Sequence, residues 1–263
     1  MIKIIKLIVS LFLSTLPIPN VSNLPENEVI NEEDIVLSAQ IDIEEDTIED
    51  IKPMKTYTPQ INTSNGSSWW EYPIDIKQTT RSGNDFLVLV NKEYRLPSTY
   101  APTDLVKVGE NVIRRGSNYF LRSVIIDDLR SLVADVKAEG IDLSIVSAYR
   151  SYSTQQNTYQ YWVNYNNGCV SCADRISARA GHSQHQLGTT LDFSSSEIND
   201  SLGIKFGDTK ASAWLKENAY RYGFVMSFPQ GYESVTGFSY EPWHYRYIGR
   251  SDALLITITV LAA

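Results

Sequence analysis

The chain has 263 residues, 43% hydrophobic and 11% aromatic, which allows one substantial core but falls short of two full enzyme domains. Its formal charge of -8 excludes a surface built to hold phosphate polymers, which needs a surplus of Lys and Arg, so no nucleic-acid partner is expected. The acidity is local: residues 21–50 carry eleven Asp or Glu and no Lys or Arg, whereas the chain after residue 50 has 21 basic against 20 acidic residues.

In chain order, Met1–Pro19 opens with Lys3 and Lys6 and continues into the apolar stretch Leu7–Leu16. This is the pattern of an export signal, cleaved as a signal peptide or kept as a signal anchor, since no clean small-residue cleavage site follows. The stretch is too short and interrupted for a membrane span, and the absence of a nearby Cys excludes a lipid anchor. An exported protein, secreted or anchored at the outer face of the membrane or in the cell wall, is expected. Residues 20–68 alternate acidic clusters (Glu32-Glu33-Asp34, Glu44-Glu45-Asp46) with Pro, Ser, Thr and Asn. Such a segment cannot bury enough apolar surface to offset its ordering entropy, and it is predicted to be a disordered linker.

Composition turns globular at Trp69-Trp70, so residues 69–263 are expected to form the folded domain, as a monomer. Phe86–Val90 is predicted as a strand and Leu96–Pro102 as a loop. Over Val124–Ala138 the residues Ile125, Leu129, Leu132, Val133 and Val136 share a helical face, and Gly140 is placed to end the helix. Strands are predicted at Ile141–Val146, Thr189–Phe193 and Trp243–Ile248, and helices at Ser151–Tyr165 and Ala211–Tyr222. The tail Ala253–Ala263 is too short to span a bilayer and should pack as a last helix or strand. Helices and strands that do not alternate regularly indicate an α+β fold, with helices packed on a mainly antiparallel sheet.

The chain has three histidines, all in two short motifs, Gly181-His182-Ser183-Gln184-His185-Gln186-Leu187-Gly188-Thr189-Thr190-Leu191-Asp192 and Glu241-Pro242-Trp243-His244. A catalytic zinc takes three ligands from His and carboxylate and leaves a fourth position open, a requirement that His185, Asp192 and His244 would meet. Asp192 lies in an apolar strand, where a carboxylate is costly to bury unless paired or bound to metal. Gly188 offers a turn between the first two candidates. Glu241, three residues before His244, is placed to act as a general base beside the metal.

These motifs resemble the VanY-like D-alanyl-D-alanine carboxypeptidases, within the wider group containing lysostaphin-type peptidases and Hedgehog signalling domains. The likeness covers most of residues 86–250: Ser147-Ala-Tyr-Arg-Ser-Tyr152 with Gln155, the Gly181–Asp192 motif, Trp214-Leu with Asn218-Ala-Tyr-Arg-Tyr-Gly-Phe224, and Tyr240-Glu-Pro-Trp-His-Tyr-Arg-Tyr247. The resemblance implies one zinc ion on His185, Asp192 and His244, with Glu241 as the base. It implies peptidoglycan stem peptides or their precursors as substrate, losing a terminal D-alanine across a D,D or L,D bond. Arg150 is a candidate to hold a substrate carboxylate and a developing oxyanion. Gln155 and Ser183 match polar substrate contacts, whereas His182 matches no ligand, though it lies three residues from His185. An endopeptidase of the same group and a zinc-containing wall-binding module without turnover are the alternatives.

Two features depart from the family pattern. Thr190 replaces a more usual Ala and suits a strand. Cys169-Val-Ser-Cys172 is inserted before the metal motif. A redox pair, a metal half-site and two free thiols are each conceivable there, and in an exported chain a local disulfide is expected.

Overall fold

The computed structural model describes residues 68–261. The predicted leader and all but the last residue of the predicted linker lie outside the described residues. Near the start of the described chain, Lys77–Gln78 (β1) and Tyr94–Arg95 (β2) pair in parallel. Phe86–Val90, predicted as a strand, joins no ladder. Its alternation is real, for Val88 and Val90 are buried and Leu87 and Leu89 face out. The Asp85 carboxylate, however, accepts from the Leu87 N–H at 2.8 Å, and the Val88 N–H returns to the Asp85 carbonyl at 3.1 Å. These bonds commit the amides to a local turn.

Leu105–Lys107 (β3) and Phe120–Arg122 (β4) form an antiparallel pair. Three residues each are too few to show a period in sequence. The helix Ile126–Ala138 (α1) buries Leu129, Leu132 and Val136 on one face, at the spacing an amphipathic helix requires. Asp127 and Asp128 in its first turn and Lys137 in its last complement the helix dipole. Past its end, Gly140 takes a left-handed φ of 72°, where any side chain would be strained.

Ser144–Ser147 (β5) leads to Tyr152–Tyr165 (α2), capped by Ser151, whose hydroxyl accepts from the Thr154 N–H at 3.1 Å. Val170–Ile176 (α3), at seven residues, is too short for a helical period to show in the sequence. It begins at a disulfide between Cys169 and Cys172. Thr190–Ser194 (β6), Lys210–Asn218 (α4), Phe224–Met226 (β7), Glu233–Thr236 (α5), His244–Tyr247 (β8) and Arg250–Leu261 (α6) complete the order. No helix among the described residues is long and apolar enough to cross a membrane.

The central sheet has the order β5-β6-β8-β7, with every neighbouring pair antiparallel. The fold is therefore α+β, helices on an antiparallel sheet. Side chains alternate between the faces of a strand, and this divides the work of β6 and β8. Leu191, Phe193, Tyr245 and Tyr247 join Leu129 and Leu132 of α1 and Trp214 and Leu215 of α4 in the main core. Full burial of a side chain such as Phe193 contributes about 1.5–3 kcal/mol. The alternate positions, Asp192 and His244, are turned to the other face, bordered by α2 and α3.

Candidate metal centre

Sheet register creates the first half of the site. Asp192 on β6 and His244 on β8 are direct cross-strand partners, which sets His244 Nδ1 3.1 Å from Asp192 Oδ1. His185 arrives from the 3-10 turn Gln184–Leu187 immediately before β6. Ser183 caps that turn, its Oγ accepting from the His185 N–H at 3.3 Å. Gly188 then reverses the chain with a φ of 69°, and a Cβ there would meet side-chain atoms of Arg122 and Leu105 at 3.0 Å. Only glycine satisfies both the backbone angle and the space. His185 Nε2 ends 3.3 Å from Asp192 Oδ2, and one ligand atom from each of the three buried residues lies within 4.8 Å of the others.

Hydrogen bonds on the far side of each ring fix what the near side offers. His185 Nδ1 lies 2.7 Å from the Ala148 carbonyl, which can only accept, so Nδ1 carries the proton and Nε2 presents a lone pair. His244 Nε2 lies 3.1 Å from Gln184 Oε1, which also accepts from the Ser227 hydroxyl at 2.7 Å. That leaves the His244 Nδ1 lone pair facing Asp192. The close approach of Nδ1 to Asp192 Oδ1 is therefore not a hydrogen bond, and Oδ1 is buried with no donor. Burial, reinforced by the Arg150 charge, pushes His185 down to about 4 and keeps it neutral. Two lone pairs and a carboxylate with no proton between them repel one another unless a cation joins them, and two His with one Asp are a zinc donor set.

Around these donors lies a cleft of ≈ 260 Å³. Glu241 opens onto it with its side chain 18% exposed, Oε2 lying 3.4 Å from His244 Nδ1. Burial, with Asp192 adding and Arg150 opposing, pushes the Glu241 carboxyl up to about 8 while the donors hold no cation, and a cation on them would draw it back toward the carboxylate that a base requires. Arg150 lines the same cleft. Its Nε is buried without a hydrogen-bond partner, and burial lowers its pKa against the pull of Asp192 and Glu241. A desolvated guanidinium without a full set of protein acceptors is suited to receive an anion.

The remaining sequence candidates separate. Ser183 lines the cleft, and its hydroxyl proton is not used by the cap. Gln155, expected to touch substrate, is buried behind the wall instead. Its Nε2 donates to the Ala178 carbonyl at 2.7 Å, so it supports the Ser177-Ala178 segment that faces the cleft. His182 also borders the cleft, but its Nδ1 is 2.8 Å from the Asn91 carbonyl and its ring stands edge-on to Tyr72 at 4.8 Å. It is not one of the three grouped donors. The disulfide closes the turn into α3, whose Ile176 borders the cleft. Sequence reasoning passed over Gln184, treated as a spacer within the histidine motif, and the walls Trp162, Phe228, Phe238 and Trp243. The spacer's neighbours on both sides, Ser183 and His185, were the available signal.

Comparison with known proteins agrees with this geometry. The family model described as VanY, D-alanyl-D-alanine carboxypeptidase, matches residues 118–250. The chain is 35% identical over 185 residues to the putative carboxypeptidase YodJ of Bacillus subtilis, covering 70% of this chain and 67% of that one. Among solved structures, the LdcB LD-carboxypeptidase, described for peptidoglycan recognition, aligns with a TM-score of 0.64 at 31% identity, over 74% of this chain and 92% of that chain. A point variant of the vancomycin-resistance D,D-pentapeptidase VanY in complex with Zn(II) aligns with a TM-score of 0.54 at 30% identity, over 66% of this chain and 93% of that chain. The family match spans β4 to β8 and so takes in all three donors, Glu241 and Arg150; the chain belongs to the VanY family of D-alanyl-D-alanine carboxypeptidases.

Proposed function

We propose that this chain is a zinc-dependent carboxypeptidase that removes the C-terminal D-alanine from peptidoglycan stem peptides. The observation that carries the reading is the convergence of His185 Nε2, His244 Nδ1 and the Asp192 carboxylate beside Glu241. Zinc, when held by these three residues, supplies a Lewis acid that makes water more acidic and polarises a peptide carbonyl. Glu241 accepts the proton of the attacking water and delivers it to the amine of the departing D-alanine as the C–N bond breaks. Arg150 offers its guanidinium to negative charge, either the substrate's terminal carboxylate or the carbonyl oxygen as it becomes anionic. Ser183 presents a hydroxyl beside them, and Gln155 steadies the wall from behind.

Stem peptides of the assembled wall lie outside the cytoplasmic membrane. The same reading therefore takes residues 1–19 as a signal peptide or signal anchor and residues 20–68 as the tether of a monomeric, exported enzyme. The test is to supply the zinc-loaded protein with stem pentapeptide, tetrapeptide and cross-linked muropeptide. Free D-alanine from the pentapeptide or tetrapeptide is expected, and the preferred one reports D,D or L,D specificity. Release of an internal fragment without free D-alanine overturns the reading in favour of an endopeptidase.

A further inference from the structure

A second feature adjoins the cleft. Between Arg150 and Asp174 the chain has no charged residue, although this stretch contains the whole of the partly exposed helix α2. Apart from Val163, its residues are Tyr, Trp, Asn, Gln, Ser and Thr. On one face, Thr158 and Trp162 line the cleft. Tyr161 and Tyr165 stand against Trp162 at ring-centroid distances of 5.3 and 5.6 Å. The two tyrosine rings are stacked, 6.1 Å apart with planes inclined by 26°, and are 58% and 67% exposed. Aromatic surface left in water beside a binding cleft marks an interaction site. With no Lys, Arg, Asp or Glu on the helix, it does not suit a charged partner or an anionic membrane surface.

We propose that Tyr161 and Tyr165, braced by Trp162, form a stacking shelf for the glycan strand that carries the stem peptide; this rests on the carboxypeptidase reading above. The chemistry of that polymer matches the shelf. Its lactyl carboxyl groups are used up in amides to the peptides, so the substituted strand is uncharged. A pyranose ring presents C–H bonds on its face and hydroxyls at its rim, complementary to an aromatic face with a phenolic edge. The reach also agrees. From Thr158 to Tyr165 the helix rises roughly 10 Å, and a stem of four or five extended residues spans roughly 13–18 Å. A peptide whose C-terminus lies at the metal is therefore long enough to bring its sugar to the outer end of α2 if it runs along that helix.

The test compares wild type with the double variant Tyr161→Ala, Tyr165→Ala, both zinc-loaded. The substrates are free stem pentapeptide and the same peptide attached to its disaccharide. The variant is expected to lose about tenfold in kcat/KM on the disaccharide-peptide, mainly through KM, with free-peptide turnover unchanged. Equal losses on both substrates, or no loss on either, overturn the shelf. A second measurement does not depend on hydrolysis: titration of both proteins with peptide-free glycan oligosaccharides, followed by intrinsic tryptophan fluorescence. Saturable binding by wild type that the variant lacks supports the shelf even if no D-alanine is released, and that outcome would count against the carboxypeptidase reading alone. No binding by wild type overturns the shelf. Sedimentation showing a wild-type dimer that the double variant dissolves assigns the face to a second copy and also overturns it.

Discussion

Asp192 and His244 face each other across β6 and β8, with Asp192 Oδ1 3.1 Å from His244 Nδ1. Two of the three metal donors are thus positioned by backbone pairing, not by loop conformation. Because side chains alternate, a slip of one residue in either strand would carry its donor to the core face. Only His185 depends on a turn, and Gly188 holds that turn in place.

Gln184 is expected to govern metal affinity without touching the metal. Its carbonyl oxygen holds the His244 Nε2 proton and is itself held by Ser227. Gln184→Ala frees the ring to rotate and to change tautomer, and should weaken zinc binding about 10–100-fold. Competition with a chromophoric chelator measures this directly. Asp192→Asn should abolish stoichiometric zinc after dialysis, read as metal content per chain.

Glu241→Gln separates metal binding from proton transfer. The amide preserves size but cannot accept the water proton, so kcat should fall about 10²–10⁴-fold while zinc content stays at wild-type level. Simultaneous loss of zinc would make Glu241 a ligand instead of the base.

Arg150 should not tolerate replacement by lysine, which retains the charge but not the planar fork. Arg150→Lys is expected to lower kcat/KM for the pentapeptide about 10²–10³-fold, with zinc affinity intact. Partial recovery of Arg150→Ala by added guanidinium ion would confirm that the missing group acts at the cleft.

Away from the cleft, Asp200 gives the fold a defined acid sensitivity. Its carboxylate accepts from Arg114 Nη1 at 2.6 Å and from the Ser144 hydroxyl at 2.7 Å, and pairing with Arg114 lowers its pKa from 3.8 to about 2. A depressed carboxyl contributes stability above its unfolded pKa and loses it as pH falls through the folded value. About 2 kcal/mol should therefore be present at neutral pH and fade between about pH 4 and pH 2. Asp200→Asn should be less stable than wild type by about this amount at pH 7, with the deficit shrinking in urea titrations at lower pH.

Much of the site could be read from sequence because its chemistry is conspicuous there. His185 and His244, two of only three histidines, and an aspartate between Leu191 and Phe193 have few uses together other than binding metal. The long elements were legible for a similar reason, since α1 repeats its apolar residues over several turns. What remained hidden depends on tertiary pairing. Gln184 matters because β8 brings His244 beside it, and Gln155 is withdrawn from the cleft because α2 packs it against Ser177 and Ala178. Phe86–Val90 has a strand's alternation but meets Asp85 before it can meet a partner. The short strands β3, β4 and β7 are too brief for any period to register.

The pairing of β6 with β8 also indicates where related genes can change length. The two strands adjoin in space but are separated by residues 195–243, and their ladder fixes the donors however long that excursion becomes. Insertions or deletions around Leu202 and Gly203, on the lip of the cleft, can reshape what enters while leaving the metal set untouched. A single-residue indel inside either strand has no such freedom. Divergence in substrate preference is thereby channelled into the excursion, and the strands themselves are held to constant length.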